Sequence, residues 1–210
     1  EDMSFSKRMS RIKPSGIRAV QKRIAGKSDM ISFAAGLPDP ALYPLEDLRK
    51  AADTMLEKEG ATAFAYGLTK GYGPLLDYLT DRMNNREHVE CTKENICILS
   101  GSQQGLGLAA MTFLDEGDVV ITENPSYLGA INAFRPYGAE FIGVDTDDDG
   151  IVIEDLERAL EENPKTKLIY VIPNFQNPTG KAWTLERRER FMEVVAKYDV
   201  AVVEDNPYGD

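Results

Sequence analysis

From residue 96 onward, short apolar runs alternate with stretches of helical spacing, and this alternation constrains the fold more than any other feature of the chain. ICIL (96–99), VVIT (119–122), AEFIGVD (139–145), KLIYVIP (167–173) and VAVVED (200–205) read as strands. Residues 101–114, Ser126–Phe134, Ile153–Glu162 and Leu185–Tyr198 read as the helices between them. A strand covered on both faces is apolar at successive positions, as KLIYVIP is, whereas a half-buried strand alternates. The sequence therefore predicts an α/β fold, a mostly parallel sheet with helices on both faces. Upstream, Leu45–Glu59 reads as a helix with Pro44 ahead of it and Gly60 after it, and Gly73–Asn84 as another. Residues 1–45 differ in character: helical spacing over Ser15–Ile24 after Pro14, then a short strand and Gly/Pro loop in MISFAAGLPDPALYP (30–44). They are expected to belong to a second, incomplete domain, with residues 46–210 forming the main one.

Charge and cysteine usage remove several classes of function. A net charge of −11 argues against a nucleic-acid partner, because phosphate binding requires a basic face. Asp145, Asp147, Asp148 and Asp149 cluster in VDTDDDG, but the later ligands and closing Glu of a calcium loop are missing, so a turn before Ile151 is expected. Two cysteines, Cys91 and Cys97, make no disulfide scaffold. Cys97, inside ICIL, reads as a buried small hydrophobe, and His88 as a surface residue. With one histidine and no CxxC pair, a zinc site is not expected. No apolar run approaches the ~20 residues of a membrane helix, and the N-terminus carries no signal-peptide core. The expected location is cytoplasmic.

Three segments could carry chemistry. In GSQQGLGL a strand runs through Gly101, Ser102 and Gln103 into a helix, whose first N–H groups lack intrahelical acceptors and present positive potential. That is a phosphate cradle in physical terms, and equally the pattern of a capped helix with a tight turn. It matches neither a Walker loop nor GxGxxG. PNFQNPTG forces an irregular loop at a strand's C-terminal end, where open α/β sheets bind ligands, and Asn177 offers a donor and an acceptor there. In VVEDNPYGD, Asp205 falls at the mouth of the sheet and needs a cationic or donor partner, such as a protonated pyridine nitrogen. Tyr208 lies three residues on, and Glu204 reads as a surface carboxylate.

Taken in order, SGIR (15–18), ISFAAGLPDPALYP (31–44), AYGLTKGYGPL (65–75), GSQQGL (101–106), ENPSY (123–127), PNFQNPTG (173–180) and EDNPY (204–208) resemble the fold-type-I, pyridoxal 5'-phosphate (PLP) dependent class I/II aminotransferases. The resemblance covers nearly the whole chain and is nearest to the 2-aminoadipate and kynurenine aminotransferase branch, which includes the aminotransferase-like domain of MocR regulators. It implies that Asp205 pairs with the pyridine nitrogen, that Asn177 and Tyr208 bond the ring oxygen, and that Tyr127 stacks on the ring. Gly101, Ser102 and Gln103 would hold the phosphate, and Tyr66 would reach the phosphate of a neighbouring subunit, which implies a homodimer with shared sites. Gly36, Arg18 and Asn177 would lie beside the substrate. Residues 1–45 would be a small-domain segment and dimer arm, and 46–210 the PLP-binding large domain, incomplete at its C-terminus.

The departures from the family pattern carry equal weight. No lysine matches the Ser-x-x-Lys segment that supplies the Schiff-base lysine later in the family's order, and Lys181 of NPTGK occupies a position that is not catalytic there. The implied activity is transfer of an amino group from an amino acid to a 2-oxo acid, with the 210 residues inactive alone. A ligand-sensing MocR-type domain and a PLP lyase of the same fold share these residues and stand as alternatives.

Overall fold

The computed structural model describes residues 4–12, 22–24, 36 and 38–209. The chain divides into two compact units, residues 1–13 with 100–210, and residues 14–99. The first opens with α1 (Lys7–Arg11). Arg11 pairs with Glu116, and the Arg8 guanidinium lies 5.3 Å from the centre of the Tyr137 ring.

In the 14–99 unit, α2 (Leu45–Ala63) runs past the expected stop at Gly60, with a kink where Glu59 leaves helical geometry (φ −136°). Helix α3 (Gly73–Asn85) starts on Pro74 in its first turn, where the missing N–H costs nothing. The strand expected over 96–99 is not formed. Strand geometry needs a ladder, and among the described residues the segment's N–H groups make only a local turn bond from Ile96 to the Lys93 carbonyl at 3.2 Å and one bond from Ile98 to the Lys70 carbonyl at 2.8 Å. Cys97 is correspondingly exposed rather than buried: without a covered strand there is no second face to enclose it. The expected strand within 30–44 and the start of the 15–24 helix lie outside the described residues.

The sheet lies in the other unit. Among the described residues it has five strands: β1 (Val119–Asn124), β2 (Glu140–Asp147), β3 (Gly150–Ile151), β4 (Thr166–Val171) and β5 (Ala201–Glu204), in the order β3-β2-β1-β4-β5. All neighbouring pairs are parallel except β2 with β3, a hairpin turning through Asp148 and Asp149. The acidic cluster is thus a turn, as expected, and Asp147 accepts two 2.9 Å bonds from Arg187. That guanidinium holds the Asp147 carboxyl below its ordinary range.

Connecting helices cover both faces: α4 (Ser102–Phe113), α5 (Leu128–Phe134), α6 (Ile153–Glu162) and α7 (Leu185–Val195). Val119, Ile121, Ile169 and Val171 pack on one side with Leu156 and Leu160 of α6 and Phe191 and Val194 of α7. Val120, Leu168, Tyr170 and Ile172 pack on the other with Leu106 and Ala110 of α4 and Ala130 and Phe134 of α5. This is why β1 and β4 are apolar at successive positions. Burying each Val, Leu or Ile side chain contributes about 1.5–3 kcal/mol. The chain steps from β1 outward to β2, then returns to β4 on the other side of β1 before continuing to β5. The crevice between β1 and β4 is therefore the topological switch point, and open α/β sheets bind ligands there, beyond the C-terminal strand ends.

Candidate functional site

The segments following β1, β4 and β5 converge with the start of α4 on a cavity of about 170 Å³, lined by Ser102, Tyr127, Ile172, Asn177, Asp205, Pro207 and Tyr208. Five of these are site residues expected from the sequence.

Asp205 follows β5 directly. Its N–H donates to the Val171 carbonyl at 2.9 Å, and its Oδ2 accepts the Tyr170 hydroxyl at 2.7 Å. Its other oxygen, Oδ1, takes no hydrogen bond from a described residue. Tyr170 is fully buried in β4, with its ring edge-on to Phe134 at 5.8 Å. Burial, and then the bond to Asp205, pushes the phenol far above its ordinary range, so it remains a donor.

Asn177 sits on a loop braced from several directions. Gln176, 2% exposed, donates to the Pro125 carbonyl at 2.8 Å and accepts from both the N–H and the hydroxyl of Thr179. Arg188 donates to the Pro173 carbonyl and to Asn174 Oδ1. Beneath the loop, the buried carboxylate Glu123 accepts from the Ile172 N–H and from the Trp183 indole, each at 2.9 Å. Burial raises the Glu123 pKa, against the opposing pull of those donors. The Asn124–Pro125 and Asn177–Pro178 peptides are both cis.

At the start of α4, Gly101 adopts φ +88° and caps the helix with no side-chain bond, and a Cβ there would meet nothing within 4 Å. The Gln104 N–H turns back to the Gly101 carbonyl at 3.2 Å, which leaves the Ser102 and Gln103 N–H groups to meet an anion. Gln103 turns aside, donating to the Gly129 carbonyl at 3.2 Å. The Tyr127 ring lies over Gly129, where any side chain would collide with it. Tyr208 is half exposed at the rim.

Tyr66 and Gly36 belong to the 14–99 unit, Tyr66 fully exposed and Gly36 at φ +32°. Arg18 lies outside the described residues. Lys181 points to the β2–β3 hairpin, with its Nζ 2.9 Å from the Asp147 carbonyl oxygen and 3.3 Å from Asp148. Sequence reasoning missed Tyr170, Glu123, Gln176, Trp183 and Gly129. A signal existed for two of them: a phenol inside KLIYVIP and a carboxylate at the end of VVITE are polar groups entering a core, where each must find a partner.

These groups fit a planar, phosphorylated heteroaromatic ring. A carboxylate oxygen is available for a ring nitrogen, an amide and a phenol for a ring oxygen, an aromatic side chain for the ring face, and a glycine-capped helix start for the phosphate. Fold and site together define a cofactor-binding α/β domain. The sequence profile described as aminotransferase class I and II matches residues 28–210, and the chain belongs to that PLP-dependent family. It is 40% identical to aromatic-amino-acid aminotransferase 1 of Thermococcus litoralis, over 98% of this chain and 50% of that protein. It is 38% identical to 2-aminoadipate transaminase of Thermus thermophilus, over 98% of this chain and 50% of that protein. The crystal structure of Pyrococcus horikoshii kynurenine aminotransferase in complex with PMP superposes with a TM-score of 0.89 at 39% identity, covering 98% of this chain and 51% of that one. The chain thus spans about half the length of the curated relatives it matches.

Proposed function

We propose that the protein containing this chain is a PLP-dependent aminotransferase, moving an amino group from an amino acid to a 2-oxo acid. The observation that carries this reading is the convergence of Ser102, Tyr127, Asn177, Asp205 and Tyr208 on one cavity beyond the C-terminal ends of the sheet. When bound, PLP supplies an electron sink for charge developing at the substrate α-carbon. Asp205 keeps the ring nitrogen protonated, Asn177 and Tyr208 bond the ring oxygen, and Tyr127 covers the ring face. Gly101, Ser102 and Gln103 seat the phosphate at the start of α4, with Gln103 turning from Gly129 to do so. Gly36, Arg18 and Asn177 lie on the substrate side.

A homodimer with shared sites is part of the same proposal, with Tyr66 reaching the partner's phosphate. Exposed Phe64, Tyr66 and Leu68, three large side chains within five residues of the 14–99 unit, support it, because neighbouring apolar groups left in solvent favour burial against a partner. Residues 1–45 form the small-domain segment and arm, and 46–210 the PLP-binding domain. The names of the relatives support amino acids with aromatic or dicarboxylic side chains as substrates. The 210 residues alone do not transaminate, because Lys181 is committed to the hairpin and no other lysine occupies the family's covalent position. The protein resides in the cytoplasm; among the described residues no helix is long and apolar enough to cross a membrane.

The test is product analysis of the full-length protein with PLP, a panel of amino acids and 2-oxoglutarate. New 2-oxo acid and glutamate in equal amounts support the reading. Ammonia with an eliminated product assigns a lyase, and ligand binding without turnover assigns a sensing domain.

A further inference from the structure

Tyr170 has no part in the site expected from the sequence, yet it alone among the described side chains bonds the carboxylate of Asp205. Its ring is fixed on three counts. It lies in β4, in register with Val203 of β5 two residues before Asp205. It packs edge-on to Phe134. It is fully buried with Leu168 and Ile172 in the core facing α4 and α5. The Asp205 main chain is pinned from the same strand, through the Val171 carbonyl. One carboxylate oxygen and the backbone are therefore both held by β4, and the remaining oxygen belongs to a residue lining the cavity.

We propose that Tyr170 is the positioning residue that orients Asp205, so that Oδ1 alone meets the ring nitrogen of the bound cofactor. This rests on the PLP reading of the site and adds a residue to it. A carboxylate on an irregular segment has a freely turning terminal torsion, which is broad and roughly two-fold. A hydroxyl from a rigid strand removes that freedom, and a charge-assisted bond of this kind is about twice as strong as a neutral one. Tyr170 touches neither ring nor substrate in this scheme. It acts only through Asp205, and so its effect must depend on the ring having a nitrogen.

That dependence sets the experiment. The full-length apo-protein is titrated with pyridoxamine 5'-phosphate and with its 1-deaza analogue, in which carbon replaces the ring nitrogen. Wild type, Tyr170→Phe and Asp205→Asn are compared. Tyr170→Phe is expected to weaken pyridoxamine phosphate roughly tenfold, the loss of one hydrogen bond to a charged group, while leaving the deaza analogue within about twofold. Equal weakening of both ligands, or of neither, overturns the proposal. If wild type binds neither ligand, the PLP reading fails and takes this inference with it; if wild type binds but the variant shows no selectivity, only the inference fails. Should Tyr170→Phe not fold, 3-fluorotyrosine at position 170 keeps the hydroxyl. Its fluorine resonance is expected to move with pyridoxamine phosphate and to stay with the deaza analogue, and the same shift with both overturns the proposal.

Discussion

The indole of Trp183 donates to Glu123 Oε1 at 2.9 Å, joining the end of β1 to the far end of the Asn177 loop across sixty residues of sequence. Glu123 Oε2 takes the Ile172 N–H at the loop's near end. A single buried carboxylate thereby closes both ends of the segment that presents Asn177.

Glu123→Gln is the first expected loss. An amide offers one acceptor where two donors converge, so its NH2 must face an N–H. A buried donor left unsatisfied costs about 1–3 kcal/mol. The substitution also removes a pH dependence. The folded Glu123 pKa is raised by burial, so the folded state holds more protons than the unfolded state just above pH 4.5, and stability falls as pH rises through that window. Urea unfolding of the full-length protein across mildly acidic pH should show this as a difference: the stability of wild type minus that of the variant falls as pH rises, whatever slope the lowered carboxylates such as Asp147 give to both.

Gly129→Ala separates stability from binding. The position is helical, where alanine is favoured over glycine by up to about 1 kcal/mol, but the new methyl displaces the Tyr127 ring. The melting temperature is expected to change little, while affinity for PLP falls about tenfold through lost stacking. Fluorescence titration measures the second and calorimetry the first.

Gly150→Ala acts on the fold instead. Gly150 adopts φ +128°, and a Cβ there would come within 2.6 Å of the Trp183 ring. Backbone strain alone costs about 1–3 kcal/mol, and the collision disturbs the indole that Glu123 needs. Unfolding midpoints should drop, with cofactor affinity following.

Lys181→Ala leaves the covalent chemistry intact. The side chain is held by the β2–β3 hairpin through Asp147 and Asp148. Borohydride reduction of the PLP-loaded full-length protein, followed by peptide mapping, should place the pyridoxyl label elsewhere. A label on Lys181 would reverse the assignment.

Much of the site was legible in the sequence because its residues sit in short strings with few local alternatives. PNFQNPTG and EDNPY combine turn formers with polar groups directly after apolar strands, and in a parallel sheet such groups fall at the C-terminal edge. The supporting residues were not legible, because their partners lie far away in sequence. Tyr170 finds Asp205 35 residues on, and Glu123 finds Ile172 and Trp183 49 and 60 residues on. Only the register of β4 against β5 and of β1 against β4 makes those neighbours.

The sequence by itself determined the α/β class and the helices on both faces, because local periodicity is written in adjacent residues, while Ser102, Tyr127, Asn177, Asp205 and Tyr208 were singled out as a set by the family resemblance of their strings. Tertiary structure alone decided the strand order β3-β2-β1-β4-β5, and with it the crevice at which those five residues meet. It also decided that ICIL forms no strand and leaves Cys97 exposed. A strand exists only where another backbone completes its hydrogen bonds, and that requirement is invisible in a run of four residues.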